Sequence, residues 1–292
     1  MVILVMVFLV GVVAFHALER LAPIRSEYPT GPARRGYAAD LLAATLHGPA
    51  LSGLTRLGAV ALIMAAPRLP TPLGRWSWTA QFCAFLLVND FGRYWLHRWH
   101  HESDWLWRLH RVHHTVTHMD SMSVFRVHAL EAAIKYGVMV LPFRCMGITE
   151  SVILVYSGLD LLKGFWHHAN LRTRIGPLNY LFNSAELHWW HHSDDPRGQH
   201  ANYGSMLSVW DRLFGTFHYV KGRWPESIGV KGMQEFPDSY VGQLISVAQP
   251  DEAFVGQARS QGCMIGAAPI RQEAPAEAEG DPGPVVLIPR SG

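Results

Sequence analysis

The sequence predicts an all-α fold: an integral membrane helical bundle of about four to five membrane helices, topped by a cytoplasmic helical cap rich in histidine. Three observations predict it. The 292-residue chain is 49% hydrophobic and only 16% charged, where a soluble domain of average composition carries about 25% charged residues. It contains several apolar runs near the length of about 20 residues that crosses a bilayer as a helix. It also holds 17 histidines, seven of them between His97 and His118. The net charge of +2 excludes a nucleic-acid binder, whose affinity rests on clustered Lys and Arg. The three cysteines, Cys83, Cys145 and Cys263, form no CxxC pair and suggest neither a disulfide framework nor a thiolate metal site.

The first element is the apolar run 2–18. It lacks a basic n-region and a clear cleavage site, so it is read as a retained membrane helix rather than a signal peptide. A second candidate span is 41–66, interrupted by Arg56. The third, 78–96, carries Asn89 and Asp90 in mid-span. Residues 129–146 and 152–165 form a pair around Gly147. They are short and contain Glu131, Lys135 and Asp160, which suits a tilted or re-entrant hairpin.

Charge orients the spans. The loop 19–40 holds Arg20, Arg25, Arg34 and Arg35, whereas 67–77 holds only Arg68 and Arg75. By the positive-inside rule the first loop is cytoplasmic and the N-terminus lies outside. Counting from there, every histidine cluster falls on the cytoplasmic face. Residues 180–219, less hydrophobic and rich in aromatics, read as a cap of short helices. After about Gln249 the chain turns to Pro, Ala, Gly and Glu, a composition that cannot bury a core and predicts a disordered tail.

The histidines are spaced for helices. His97 and His101 form HxxxH; His110, His113 and His114 form HxxHH; His188, His191 and His192 form a second HxxHH. Residues at i, i+3 and i+4 share a helical face, so eight imidazoles from three helices can converge. Imidazole suits iron, copper, nickel and zinc better than calcium or magnesium. Eight ligands exceed what one ion takes, so two metal ions are implied. A lone histidine in an apolar segment is more often a hydrogen-bonded core residue, but clustered imidazoles near hydrocarbon are costly without a role. The zinc-protease HExxH is absent, because His101-Glu102 runs on into Ser103, Asp104 and Trp105. Nucleotide-binding GxGxxG and GxxxxGK[ST] and the hydrolase GxSxG are absent as well.

The run DFGRYWLHRWHHESDWLWRLHRVHH, with ELHWWHH and then NYGSMLSVWDRLFGTF, resembles the fatty acid hydroxylase and sterol desaturase superfamily. That family's pattern is HxxxH, HxxHH and HxxHH followed by NYG…WDRLFGT. The resemblance covers about residues 80–218. It implies a membrane di-iron oxygenase that uses O₂ and two external electrons to hydroxylate or desaturate a lipid. It implies His97, His101, His110, His113, His114, His188, His191 and His192 as metal ligands, with zinc able to substitute for iron in overexpressed protein. It adds His168, in a segment like the family's FWHHAN; His128, in an Arg-x-His segment, is a further candidate. His100, His118, His167 and His200 fall off the pattern. The resulting divisions are N-terminal membrane helices 1–76, a hydroxylase-like domain 77–219, a C-terminal extension 220–248 and the tail 249–292.

Asp90 lies seven residues before His97, on the same helical face. A carboxylate inside a membrane span is functional by default, and metal-bound imidazoles usually donate their second N–H to a carboxylate or carbonyl. Asp90 is therefore read as the orienter of a ligand histidine, with a helix–helix polar contact as the alternative. Glu186, Asn170 and Asp211 are further candidates; Asp211 could equally cap or pair with Arg212. The tryptophans around the clusters, Trp95, Trp99, Trp105, Trp107, Trp189 and Trp190, are interfacial anchors or walls of a substrate channel. No haem-binding or Fe–S motif is present, so electrons must come from a partner such as a ferredoxin or cytochrome with its reductase. The competing class is a membrane metal transporter or metal-binding protein without oxygenase activity, which would string histidines along a pore. Sterols, fatty acyl lipids, headgroups and carotenoids all remain open as substrates.

Overall fold

The computed structural model describes residues 2–29, 31–46, 72–233 and 235–254. Among these the chain is helical, with two isolated β-bridges and no strand. The helices are α1 (Val2–Leu21), α2 (Tyr37–Thr45), α3 (Trp78–Glu102), α4 (Asp104–His114), α5 (Ala129–Met139), α6 (Leu141–Cys145), α7 (Glu150–His168), α8 (Ala185–His191), α9 (Pro196–Gln199), α10 (Val209–Phe214) and α11 (Tyr240–Ser246).

Ile3–Leu21 within α1 is the one described helix that is long and apolar enough to cross a membrane. Its outward side chains, among them Leu9, Val10 and Val13, are exposed. The opposite stripe packs on α7: Phe15 stacks on Phe165 with ring centroids 5.7 Å apart. Gly11 makes that approach possible, since a Cβ there would sit 2.6 Å from the Phe165 ring. Helices α3 and α7 have 25 and 19 residues, but Asn89, Asp90, Arg93, Asp160 and Lys163 dilute their hydropathy. The candidate span 129–146 does not form one helix: it breaks at Val140 into α5 of 11 residues and α6 of five. At 1.5 Å per residue neither half spans a bilayer. Of the span 41–66, only its start is described, as part of α2; the rest lies outside the described residues.

Local chemistry sets the positions of the long helices. Ser77 caps α3, its Oγ accepting from Ala80 N at 3.3 Å. Ser103 then takes an extended conformation (φ −109, ψ 123) that ends α3 and starts α4. One residue thus folds α4 back onto α3 and brings their histidines to a common side. The segment 115–128 is fixed by a buried ion network: the Asp40 carboxylate accepts from Arg34 at 2.6 Å and Arg126 at 3.0 Å, and Arg34 also reaches Asp120 at 2.8 Å. Charges this buried hold only because each is paired.

The C-terminal extension packs against the histidine helices. Ile228 joins Trp189, Val116 and Met119 in one core cluster, and Gly229 N donates to His192 O at 2.9 Å. The boundary expected at Gln249 shifts outward. Asp251–Phe254 form a 3-10 turn, and Phe254 is buried against Val112, Met233 and Phe236. The start of the compositional tail is therefore part of the core, because one aromatic and one ion pair suffice to dock it. Residues 255–292 lie outside the described residues.

Candidate metal centre

Nine histidines converge in two adjoining groups. One is His97, His101, His110, His114 and His191; the other is His113, His168, His188 and His192. Within each group the ligand nitrogens all lie within 4.8 Å of one another. Each HxxHH motif is divided between the groups. His110 and His114 of α4 go to the first and His113 to the second, while His188 and His192 of α8 go to the second and His191 to the first. Helix geometry explains the division. At 3.6 residues per turn, i and i+4 are about 40° apart around the axis, whereas i+3 and i+4 are about 100° apart. The i, i+4 pair therefore serves one group and the i+3 residue reaches the other. Facing each other, α4 and α8 make reciprocal contributions.

The second ring nitrogens are anchored. Nδ1 of His97 donates to Tyr203 O at 2.9 Å, of His113 to Arg126 O at 3.1 Å, of His168 to Gly164 O at 3.0 Å and of His191 to Ala201 O at 2.7 Å. His110 Nδ1 donates to Glu131 Oε1 at 2.9 Å. Carbonyls and carboxylates only accept, so these imidazoles carry their proton on Nδ1 and present a bare lone pair on Nε2. Two such lone pairs, on His113 and His168, face each other at 3.2 Å; those of His97 and His110 do so at 3.1 Å. No hydrogen bond can form between two acceptors. These separations are what nitrogens sharing one ion at about 2.1 Å would show. His101 Nε2 and His191 Nε2 are buried with no hydrogen-bond partner at all. The residues present therefore fit two metal ions, and a site without them would hold an uncompensated set of buried polar atoms.

Burial keeps the ligands neutral. It holds His110, His113, His114, His188 and His192 well below the ordinary imidazole pKa, with further depression from neighbouring histidines. Burial also brings His168 and His191 down to about 3.

The structure places two of the sequence candidates elsewhere. His128 is the N-cap of α5: its Nδ1 accepts from Leu130 N at 3.1 Å and its Nε2 donates to Leu244 O at 3.0 Å. Both ring nitrogens are committed, so His128 stands outside both groups. Asp90 touches no histidine. It accepts from Met206 N at 2.6 Å, Leu207 N at 3.0 Å and Trp210 Nε1 at 2.9 Å, tethering the loop that follows Tyr203 to α3. The face of α3 that carries Asp90 meets a loop there and histidines only a turn or two later. Glu186 serves Asn179 Nδ2 at 2.8 Å, and Asn170 pairs with the Arg25 backbone.

Asp211 anchors the NYG turn, accepting from Tyr203 N at 2.7 Å, Gly204 N at 2.8 Å and Thr216 Oγ1 at 2.8 Å. The signature thereby acquires a physical reading. Asn202 adopts φ 57, and a Cβ on Gly204 would meet Leu207 O at 2.3 Å. This strained turn aims the Tyr203 carbonyl at His97. The residue missed by sequence reasoning is Glu131. Its charge marked it as an interruption in an apolar run, but its spacing to His110 gave no hint of their contact. Among the tryptophans, Trp99 and Trp105 are exposed while Trp189 and Trp190 are buried.

Fold and site together define a helical protein with two adjoining histidine groups suited to metal. Residues 82–216 match the fatty acid hydroxylase family, which supports the resemblance to the fatty acid hydroxylase and sterol desaturase superfamily. It is 32% identical over 176 residues to an ornithine lipid hydroxylase of Rhizobium tropici, covering 60% of this chain and 52% of that one. It is 35% identical over 142 residues to an alkylglycerol monooxygenase of Danio rerio, covering 49% and 30%. A Delta(7)-sterol 5(6)-desaturase of Gibberella zeae is 26% identical over 170 residues, covering 53% and 46%. The chain thus spans about half or less of the length of these curated relatives. No solved structure matches it.

Proposed function

We propose that this protein is a membrane-embedded lipid oxygenase that hydroxylates its substrate, or desaturates it, using O₂ and electrons from a separate donor. One observation carries the reading: nine neutral histidines from α3, α4, α7 and α8 meet in two groups of five and four, inside a domain shared with lipid hydroxylases, monooxygenases and desaturases.

His97, His101, His110, His114 and His191 would hold one iron, and His113, His168, His188 and His192 the other. Two irons so held supply the activation of O₂ needed to break an unactivated C–H bond. The protein's own contribution is positional. Tyr203 O, Arg126 O, Gly164 O, Ala201 O and Glu131 fix the imidazole rings, as partners of ligand histidines generally do. The packed cap formed by α8, the NYG turn and residues 225–233 shields the centre from water. A cavity beside the centre, bordered by His97, His113, His168 and His188, gives a substrate access. Support for a membrane setting comes from Ile3–Leu21, and the arginine-rich loop 19–40 favours a cytoplasmic site with several helices in the bilayer.

The test compares extracted lipids by mass spectrometry, with and without expression of the chain. A lipid gaining one oxygen atom signals hydroxylation, and one losing two hydrogens signals desaturation. Unchanged lipids from cells holding folded, iron-loaded protein and a reductant would overturn the proposal.

A further inference from the structure

We propose that the 3-10 turn Gly176–Tyr180, the two residues after it and helix α10 form a membrane-seated face, so that one side of the cap enters the acyl-chain boundary of the bilayer beside α3. The partner of this face is a lipid surface. The proposal rests on the membrane setting given above and adds to it a surface that composition assigned to the cytoplasm.

The face is apolar and open. Leu213 and Leu178 are 68% and 55% exposed, and Leu181 and Phe182 are 46% and 43% exposed. Single exposed apolar residues are ordinary, but a cluster of them marks a surface that something covers. Here they are clustered by hydrogen bonds. Ser208 N donates to Leu181 O at 3.1 Å, and Arg212 Nη1 donates to Tyr180 O at 3.2 Å, which sets the two segments side by side. The one acid in either segment, Asp211, is turned inward and buried on the NYG turn. The cation that remains outside, Arg212, lies over the Tyr180 ring at 5.4 Å. An apolar surface with an arginine at its rim suits acyl chains below and lipid phosphates above.

Helix α3 sets the depth. Its polar residues Asn89 and Asp90 are buried, while Leu87, Val88 and Phe91 are exposed in its middle. Exposed tryptophans stand at both ends: Trp76 and Trp78 at the start, Trp99 and, past the turn into α4, Trp105 at the finish. Trp78 and Trp99 are 21 residues apart, or about 32 Å along a helix, which matches a hydrocarbon core of about 30 Å. Tryptophan belts mark the two interfaces of a bilayer. Helix α10 leans on α3 below the second belt. Phe91 lies 5.1 Å from Trp210 and 6.2 Å from Phe214, and Trp95 lies 5.0 Å from Phe214. Phe91 and Trp95 precede Trp99 by eight and four residues, which puts α10 about 6–12 Å inside the belt. Helices that lie in the plane of an interface bury their apolar side to a depth of about 5–10 Å. The apolar face of the cap is thus continuous with the outward face of α3 and falls at the depth of the acyl-chain boundary.

The experiment uses the unmodified, metal-loaded full chain in phosphatidylcholine vesicles, so no variant has to fold. A diazirine dissolved in the hydrocarbon is photolysed, with glutathione in the water to consume carbene outside the bilayer. Labelled residues are then mapped by peptide mass spectrometry. Val10, on the open side of α1, reports the bilayer, and Arg197, with 79% of its side chain exposed, reports the water. Leu178, Phe182 and Leu213 should be labelled about as strongly as Val10. They should exceed Arg197 by about tenfold or more, because burying an apolar molecule of aromatic size favours hydrocarbon by at least that factor. Labelling at Val10 with Leu178, Phe182 and Leu213 at the level of Arg197 overturns the proposal and leaves the membrane setting standing. A second copy of the chain or another protein seated on the face would give that same silence. Silence at Val10 as well overturns both. The oxygenase reading is untouched by either result, since no product is measured.

Discussion

Glu131 Oε1 accepts a hydrogen bond from His110 Nδ1 at 2.9 Å while holding Lys135 Nζ at 2.7 Å one helical turn away. Every other anchored ligand histidine leans on a backbone carbonyl; His110 alone, among the described residues, leans on a charge. A carboxylate partner raises the basicity of the imidazole and so the strength of its bond to a metal. The two histidine groups are for this reason chemically unequal.

Glu131→Gln keeps a hydrogen-bond acceptor but removes the charge. Metal at the five-histidine group should bind roughly 10–100-fold more weakly, the usual effect of changing a partner of this kind. Chelator competition on the purified protein reads this directly. Loss should be confined to one of the two ions; equal weakening of both would show that the carboxylate acts through overall stability.

The division of each HxxHH motif makes a second expectation. His113→Ala removes one of four nitrogens from its group, and His191→Ala removes one of five from the other. Each variant should lose chiefly one ion of the pair, and from opposite groups, with His113→Ala the more severe because fewer ligands remain. His118→Ala should retain both ions, since its ring lies against Tyr28 with centroids 4.7 Å apart. Metal analysis by mass spectrometry on folded protein decides it. If His118→Ala loses as much metal as His113→Ala, the grouping is wrong.

Much of the centre was legible in the sequence, and what was not has a physical reason. The eight motif histidines were readable because i, i+3 and i+4 spacing on a helix is a local property, whereas His168 came only from the family resemblance. Their division into two groups was not, because it depends on α4 and α8 facing each other. Four of the five anchoring acceptors are backbone carbonyls, which every residue possesses and no sequence singles out. Glu131 and Asp90 show the same limit from two sides. Both are buried carboxylates in apolar runs. One reaches a ligand histidine and the other a loop, and only tertiary packing separates them. The helix break at Val140 was legible, since Pro142 cannot donate to the carbonyl four residues back and so sits in the first turn of a new helix.

Acid should unfold the metal-free protein early. Burial holds the folded pKa of His168 and His191 at about 3, against about 6.5 in an unfolded chain. A depressed imidazole pKa means that the unfolded state binds more protons below pH 6.5. Stability is therefore complete above that pH and is lost progressively as pH falls toward 3. Near-UV circular dichroism of metal-stripped protein should show the transition in this window. Metal-loaded protein should resist further into acid, because protons must first compete with the ions for the same nitrogens. A metal-free protein equally stable at pH 4 and pH 7.5 would contradict the burial of these rings.

The last expectation concerns the segment whose composition suggested disorder. Arg111 sits in α4 between two ligand histidines, and it is fully buried. Its guanidinium reaches Asp251, donates to Ser246 O at 2.6 Å and Gln249 O at 2.7 Å, and lies over the Phe254 ring at 4.8 Å. The end of the described chain thus braces the helix that serves both histidine groups. Phe254→Ala should destabilise the protein by about 3 kcal/mol, the ordinary cost of emptying a buried aromatic site. It should also uncover one side of Arg111, which would then keep its polar partners but lose its packing. Two measurements separate a local brace from a dispensable tail: thermal unfolding of Phe254→Ala, and metal retention after truncation at Gln249. Truncation should lower both stability and metal content, since Asp251 and Phe254 are removed together. A truncated protein with unchanged unfolding temperature and full metal content would show that α4 holds its register without them.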